Sequence, residues 1–214
     1  MKELPIYAKQ TVEFATVAAE YCAFIEKARE SQRSQFVDKC VKLLPLLYLK
    51  ALLLPAAEFL YEETPEKFVT EESYEYVRSM LQRLMGQHDD YLEVFSSDMQ
   101  FSEEPVTASV AEDLTDIYQD LKDFISVYSL GYENTMNEAL ALLEENFKEY
   151  WSQKLVNVLR PLNTIHFGNT DDEEEDQRDS YEESKQNSDS SNWMFDAQRD
   201  DTETDDNEFD KWNG

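Results

Sequence analysis

Glycine, cysteine and basic side chains are all scarce in this chain, and each shortage excludes something. Only four of 214 residues are glycine, at positions 86, 131, 168 and 214. With six prolines they punctuate a chain that otherwise has few enforced breaks. No run of alternating β-branched residues is bounded by turn pairs, so strand signals are missing. The two cysteines, Cys22 and Cys40, have no CxxC partner and no histidine at ligand spacing. They read as reduced thiols on or near a core face. Lysine and arginine total 19 against 47 acids, giving a net charge of −28. A nucleic-acid binder needs clustered bases to neutralise phosphates, which this composition does not supply. Anionic membrane surfaces are disfavoured for the same reason.

Long apolar runs are also missing. The most apolar stretch, Leu43 to Leu54, is too short to span a bilayer and is interrupted by Pro45 and Lys50; a buried helix is the better reading. The opening residues lack the unbroken apolar core of a signal peptide. These features imply a soluble, cytoplasmic protein.

The charge is divided unevenly, and the join lies near Gly168. Residues 1–168 carry 29 acids and 15 bases, and residues 169–214 carry 18 acids and four bases. Each part is therefore at net −14, but the second has more than three times the charge density of the first. Low hydrophobicity with such charge cannot offset chain entropy, so residues 169–214 are expected to be a disordered acidic tail. Trp193, Phe195, Phe209 and Trp212 interrupt that tail. Spaced aromatics in an acidic segment suit docking into a basic, hydrophobic groove; a tail folded back on its own body is the alternative.

The body reads as helices. Apolar residues recur at three/four spacing from Pro5 to Arg29, with Phe14, Ala18, Tyr21 and Ile25 on one face. A second helix starts near Ser31 or Ser34 and ends before Pro55. It is apolar nearly all round beyond Val41, which predicts a place at the bundle centre, and Pro45 should kink it. Thr64-Pro65-Glu66 resembles a cap and first turn. Thr70-Glu71-Glu72 opens a third helix, which Gly86 ends or loosens. Residues 96–105 read as a loop. A fourth helix runs from about Thr107 to Leu130 and stops at Gly131. A fifth runs from about Asn134 to Arg160, with Pro161 kinking or ending it. Short connections between long helices imply an up-and-down bundle.

The sharpest local feature is the series Asp113, Asp116, Asp120 and Asp123 on the fourth helix. At 100° per residue these cluster about 120° from the centre of the apolar stripe. Clustered carboxylates can hold a divalent cation, or a basic partner through arginine forks. The plainer expectation is a solvated acidic face with Lys122 among it. A ferritin-like di-metal site needs inward Glu-x-x-His motifs, which are not present. His88, beside Asp89 and Asp90, has the chemistry of a base oriented by a carboxylate. No Ser or Cys nucleophile stands near it in a motif, so a half-buried helix-end histidine is expected. His166 reads as a cation near a helix C-terminus. Twelve Tyr, twelve Phe and three Trp predict an aromatic core with hydroxyls at its rim. The alternative is an aromatic groove between the fourth and fifth helices, where Tyr118 and Trp151 line a pocket and Arg160 supplies a cation.

Two segments, DLTDIYQDLKDF (Asp113 to Phe124) and Trp151 leading into KLVNVLRPLNTIH, together resemble a Bacteroidetes family of all-helical proteins known as domain of unknown function 5063. The resemblance covers about residues 5–167. It implies a helical bundle in a bacterial cytoplasm and supplies no activity, cofactor or catalytic residue.

The reading is thus an all-α, up-and-down bundle of five to six helices (residues 1–168) followed by a disordered acidic tail (169–214). The expected function is a non-enzymatic protein-interaction module without a cofactor, acting through helix surfaces and the tail on a protein partner, basic ones included. Two alternatives remain: a bundle binding a small ligand or divalent metal through Asp113, Asp116, Asp120, Tyr118, Trp151 and Arg160, and an acidic mimic of nucleic acid.

Overall fold

In a computed structural model of the chain, the described residues are 4–60, 65–92 and 107–168. The chain divides into two units, Met1–Phe167 and Gly168–Gly214, and the fold described is that of the first. The expected tail lies outside the described residues, as do residues 96–105.

The first unit is an all-α bundle. A 3-10 turn at Pro5–Tyr7 leads into α1 (Lys9–Glu26), and a second such turn at Ala28–Glu30 leads into α2 (Arg33–Leu52). Next come α3 (Glu71–Met85), a turn at Gly86–His88, and the short antiparallel strands β1 (Asp90–Leu92) and β2 (Thr107–Ser109). Then follow α4 (Val110–Ser129), α5 (Glu133–Asn146), a π-turn at Phe147–Trp151, and α6 (Ser152–Phe167). Because the π-turn joins α5 to α6 without a break, the described residues of the bundle make five rods from six helices.

Local chemistry sets the boundaries. The Thr70 hydroxyl caps α3 by accepting the Ser73 N–H at 3.2 Å. Gly86 ends that helix at φ +56°, a conformation that costs glycine little. Gly131, at φ +76°, turns the chain between α4 and α5. Pro45 and Pro161 both lie inside helices. Neither ends its helix. Pro45 is exposed, so the carbonyl it leaves unpaired can reach water.

Three expectations are corrected. Residues 65–70 form no helical turn; the N–H groups of Phe68 and Val69 meet Asp123 of the fourth helix instead. The two strands pair Asp90 with Ser109, Tyr91 with Ala108 and Leu92 with Thr107, and three-residue strands are too short to produce an alternating signal. The central helix is α4, which packs on α1, α3, α5 and α6. The second helix, by contrast, packs on α1 and α6 alone among the helices with extensive contacts. It therefore leaves Leu46, Leu49, Leu52 and Leu53 between 41% and 58% exposed. Apolar composition all round a helix does not enclose it when neighbours cover only one side.

Candidate functional site

The four aspartates of α4 do not form a solvated face. Asp113 is 5% exposed and Asp116 is 8% exposed, and each member of the line is held by a different part of the fold. Tyr91 of β1 donates its hydroxyl to Oδ2 of Asp113. The Tyr74 hydroxyl of α3 reaches Oδ1 of Asp116 at 2.7 Å, and the Tyr150 hydroxyl of the π-turn reaches Oδ2 at 2.7 Å. Lys154 of α6 lies between the two carboxylates, 3.0 Å from Oδ1 of Asp113 and 2.7 Å from Oδ2 of Asp116. One turn along, Asn146 of α5 donates to Oδ1 of Asp120 at 3.0 Å. Next, Oδ1 of Asp123 accepts the backbone N–H groups of Phe68 and Val69 at 2.7 and 2.8 Å.

The wheel placed these acids correctly on a second face of α4. That face is buried because α4 is enclosed by several elements. The line of carboxylates is the seam along which α3, β1, α6, α5 and the residues just before α3 attach to the central helix. The same device recurs on α5, where Glu144 accepts the N–H of Ala57 at 3.1 Å and Glu138 accepts that of Leu60 at 2.8 Å. Carboxylates thus satisfy backbone donors of segments that have no regular hydrogen bonding of their own.

Protonation follows from this packing. Burial pushes the Asp113 carboxyl above its ordinary value, opposed by the Tyr91 hydroxyl and Lys154. Burial works against the Lys154 charge, but the hydrogen bond to Asp116 and the field of both aspartates outweigh it and hold the ammonium above its usual value. Burial, then the bond to Asp116, raises Tyr150 to about 12. At neutral pH Lys154 is protonated, and burial together with the bonds to Asp116 keeps the Tyr74 and Tyr150 phenols neutral. Such a lysine is no nucleophile, because amine chemistry needs a lowered value. Both oxygens of Asp116 are already taken. Among the described residues no group of three His, Cys, Asp or Glu side chains is arranged to hold a metal ion.

The remaining sequence-derived candidates do not converge. Tyr118 is buried and donates to Glu26 of α1 at 2.9 Å, a carboxylate that Lys122 shares at 2.7 Å. Trp151 is fully buried and packs edge-on against Phe147 with ring centres 4.5 Å apart. Arg160 is exposed and borders a different groove, with His88. The expected aromatic pocket that would join Tyr118, Trp151 and Arg160 is therefore replaced by packed core. Asp89 does not orient His88. Its Oδ1 accepts the Ala111 N–H at 2.8 Å and its Oδ2 accepts the Ser109 hydroxyl at 2.9 Å, so it caps α4 from outside the helix. Sequence reasoning also missed Lys154, Tyr74, Tyr91 and Tyr150 as partners of the acidic line. No local pattern marks which lysine meets acids 40 residues away.

An all-α bundle fastened by an internal carboxylate seam defines the class. A family model for a domain of unknown function, DUF5063, matches residues 5–168, and the chain belongs to that family. It is similar to protein BF1032 from Bacteroides fragilis, whose crystal structure it matches with a TM-score of 0.69 at 46% identity, covering 78% of this chain and 98% of that one. No curated protein matches.

Proposed function

We propose that the bundle is a non-enzymatic protein-interaction module that docks a partner on the outer face of α2. One observation carries this reading. Leu46, Leu49 and Leu53 recur at spacings of three and four, forming a continuous exposed stripe. Leu52 flanks it, and Phe59 and Leu60, also exposed, follow in the next segment. Six large apolar side chains in 15 residues is a concentration that soluble surfaces seldom leave bare. A helix laid along such a stripe would bury it in the manner of helix-on-helix recognition. The internal neutralisation of Lys154, Asp113 and Asp116 supports a non-enzymatic role. The buried free thiols of Cys22 and Cys40 suit the reducing bacterial cytoplasm that we take as the setting.

A photo-crosslinking residue in place of Leu49 tests the reading, with one in place of the exposed Tyr76 on α3 as the control. The expected result is a discrete crosslinked protein from position 49 and none from position 76. The pair Leu46→Asp and Leu53→Asp should abolish it in the same background. Equal crosslinking from both positions, or none from position 49, overturns the assignment.

A further inference from the structure

A groove of about 510 Å³ lies between the segment following α3 and the C-terminal half of α6. Its first wall is held rigidly from behind. Asp89 is fixed on the N-terminus of α4 by the Ala111 N–H and the Ser109 hydroxyl, and Tyr91 is fixed on Asp113. With these residues turned inward, Asp90 and Leu92 lie exposed along the groove by strand alternation. The opposite wall is one face of α6, where Arg160, Pro161, Thr164 and Ile165 fall at one- and four-residue spacings.

One polar group on this groove lacks a partner. The guanidinium of Arg160 has no ion pair among the described residues, in a chain where acids outnumber bases 47 to 19. An arginine fork that no protein carboxylate fills is geometrically suited to a ligand carboxylate. Around this group the surface is apolar, through Leu92, Pro161 and Ile165. The volume is that of a small-molecule site.

We propose that this groove binds a small carboxylic acid with an apolar body, its carboxylate on Arg160 and its body on Leu92, Pro161 and Ile165. Multiply charged anions such as phosphates are disfavoured by Asp90 on the rim and by the net charge of −28. The same Asp90 can receive an ammonium, so the carboxylate can belong to a simple acid or to an apolar α-amino acid. The site shares no residue with the α2 stripe, and the two assignments stand or fall separately.

Calorimetric titration of the full chain with 3-phenylpropanoate, L-phenylalanine and 2-phenylethylamine tests this. Saturable binding of at least one carboxylate, with a Kd on the order of 0.1–1 mM, and none of the amine is expected. Arg160→Met should weaken that binding at least tenfold, and Arg160→Lys should restore part of it. The Arg160 side chain makes no hydrogen bond or ion pair among the described residues, so these variants should keep the native melting transition. Tighter binding of L-phenylalanine, lost in Asp90→Asn, identifies the amino acid as the source; tighter binding of 3-phenylpropanoate identifies the simple acid. Failure of both carboxylates to saturate, or affinity unchanged in a folded Arg160→Met, overturns the proposal. Leu49→Asp, which breaks the α2 stripe, should leave the titration unchanged.

Discussion

Lys154 donates to Asp116 across 2.7 Å from α6 to the central helix, and the same ammonium reaches Asp113. With one side chain bridging two buried carboxylates, its loss does more than remove a contact. Lys154→Met should leave both aspartates in a desolvated place with only phenol donors, and breaking a buried pair from one side is costly. The expected loss is about 2–4 kcal/mol in urea unfolding. Double replacement of Asp113 by Asn and Lys154 by Met should recover part of it. A loss below about 1 kcal/mol would place the pair in the weak surface class and would contradict the seam described above.

Asp120 makes the pH dependence asymmetric. Burial pushes its carboxyl from an ordinary 3.8 to about 6, against the opposing bond from Asn146, and its Oδ2 has no hydrogen-bond partner among the described residues. A group whose folded value is raised holds its proton more tightly in the native state. The associated penalty is absent below about pH 4, grows as pH rises through 4–6, and is complete above that. Two units correspond to up to about 3 kcal/mol. Asp120→Asn should therefore stabilise the protein at pH 7, should change little at pH 4, and should flatten the stability profile between the two. Chemical denaturation at a series of pH values measures it. A variant that is destabilised equally at both pH values would show that the carboxylate does more than cost desolvation.

How much of this was legible in the sequence depends on the range of the interaction. The helices and their caps are local, and Thr70, Gly86 and Gly131 announced them. The family resemblance rested on helical segments that the structure confirms as α4 and α6. The α4 carboxylates were placed on the right face by helical geometry. Whether that face is wet or dry depends on Tyr74, Tyr91, Tyr150 and Lys154, which lie 22 to 42 residues away along the chain, and no periodicity encodes that meeting. The misplacement of α2 has the same origin. Leu46, Leu49 and Leu53 look like core by composition, and only the packing of α1 and α6 shows which side is left open. The π-turn was invisible because its extra residue falls within an uninterrupted helical pattern; it leaves Trp151 buried and Tyr150 at the edge beside Asp116.

The thiols offer a simple check on the core. Burial pushes the Cys22 thiol up to about 12 and the Cys40 thiol higher still. Reactivity belongs to the thiolate, so both should resist a disulfide exchange reagent in the native protein at pH 8 and react at once in denaturant. The number of groups released under each condition reads this directly. Fast modification of Cys22 in the native state would mean that the α1–α4 contact opens readily.

Asp89 provides the last test, because it caps a helix to which it does not belong. Four N–H groups at the start of an α-helix lack intrahelical partners. In α4 Ser109 takes the N–H of Glu112 at 3.1 Å, while Asp89 takes those of Ala111 through its side chain and Val110 through its carbonyl, both at 2.8 Å. The acid is buried, so its charge meets the positive end of the helix with little solvent screening. Asp89→Ala should remove the Ala111 bond, leave that N–H unsatisfied in the interior, and free the Ser109 hydroxyl. The expected cost is about 1–3 kcal/mol. Asp89→Asn keeps an acceptor without the charge and should cost less. Amide exchange separates this mechanism from general loosening. Protection should fall first at Val110, Ala111 and Glu112, and at the paired β1–β2 residues, before it falls at the α1–α4 contact.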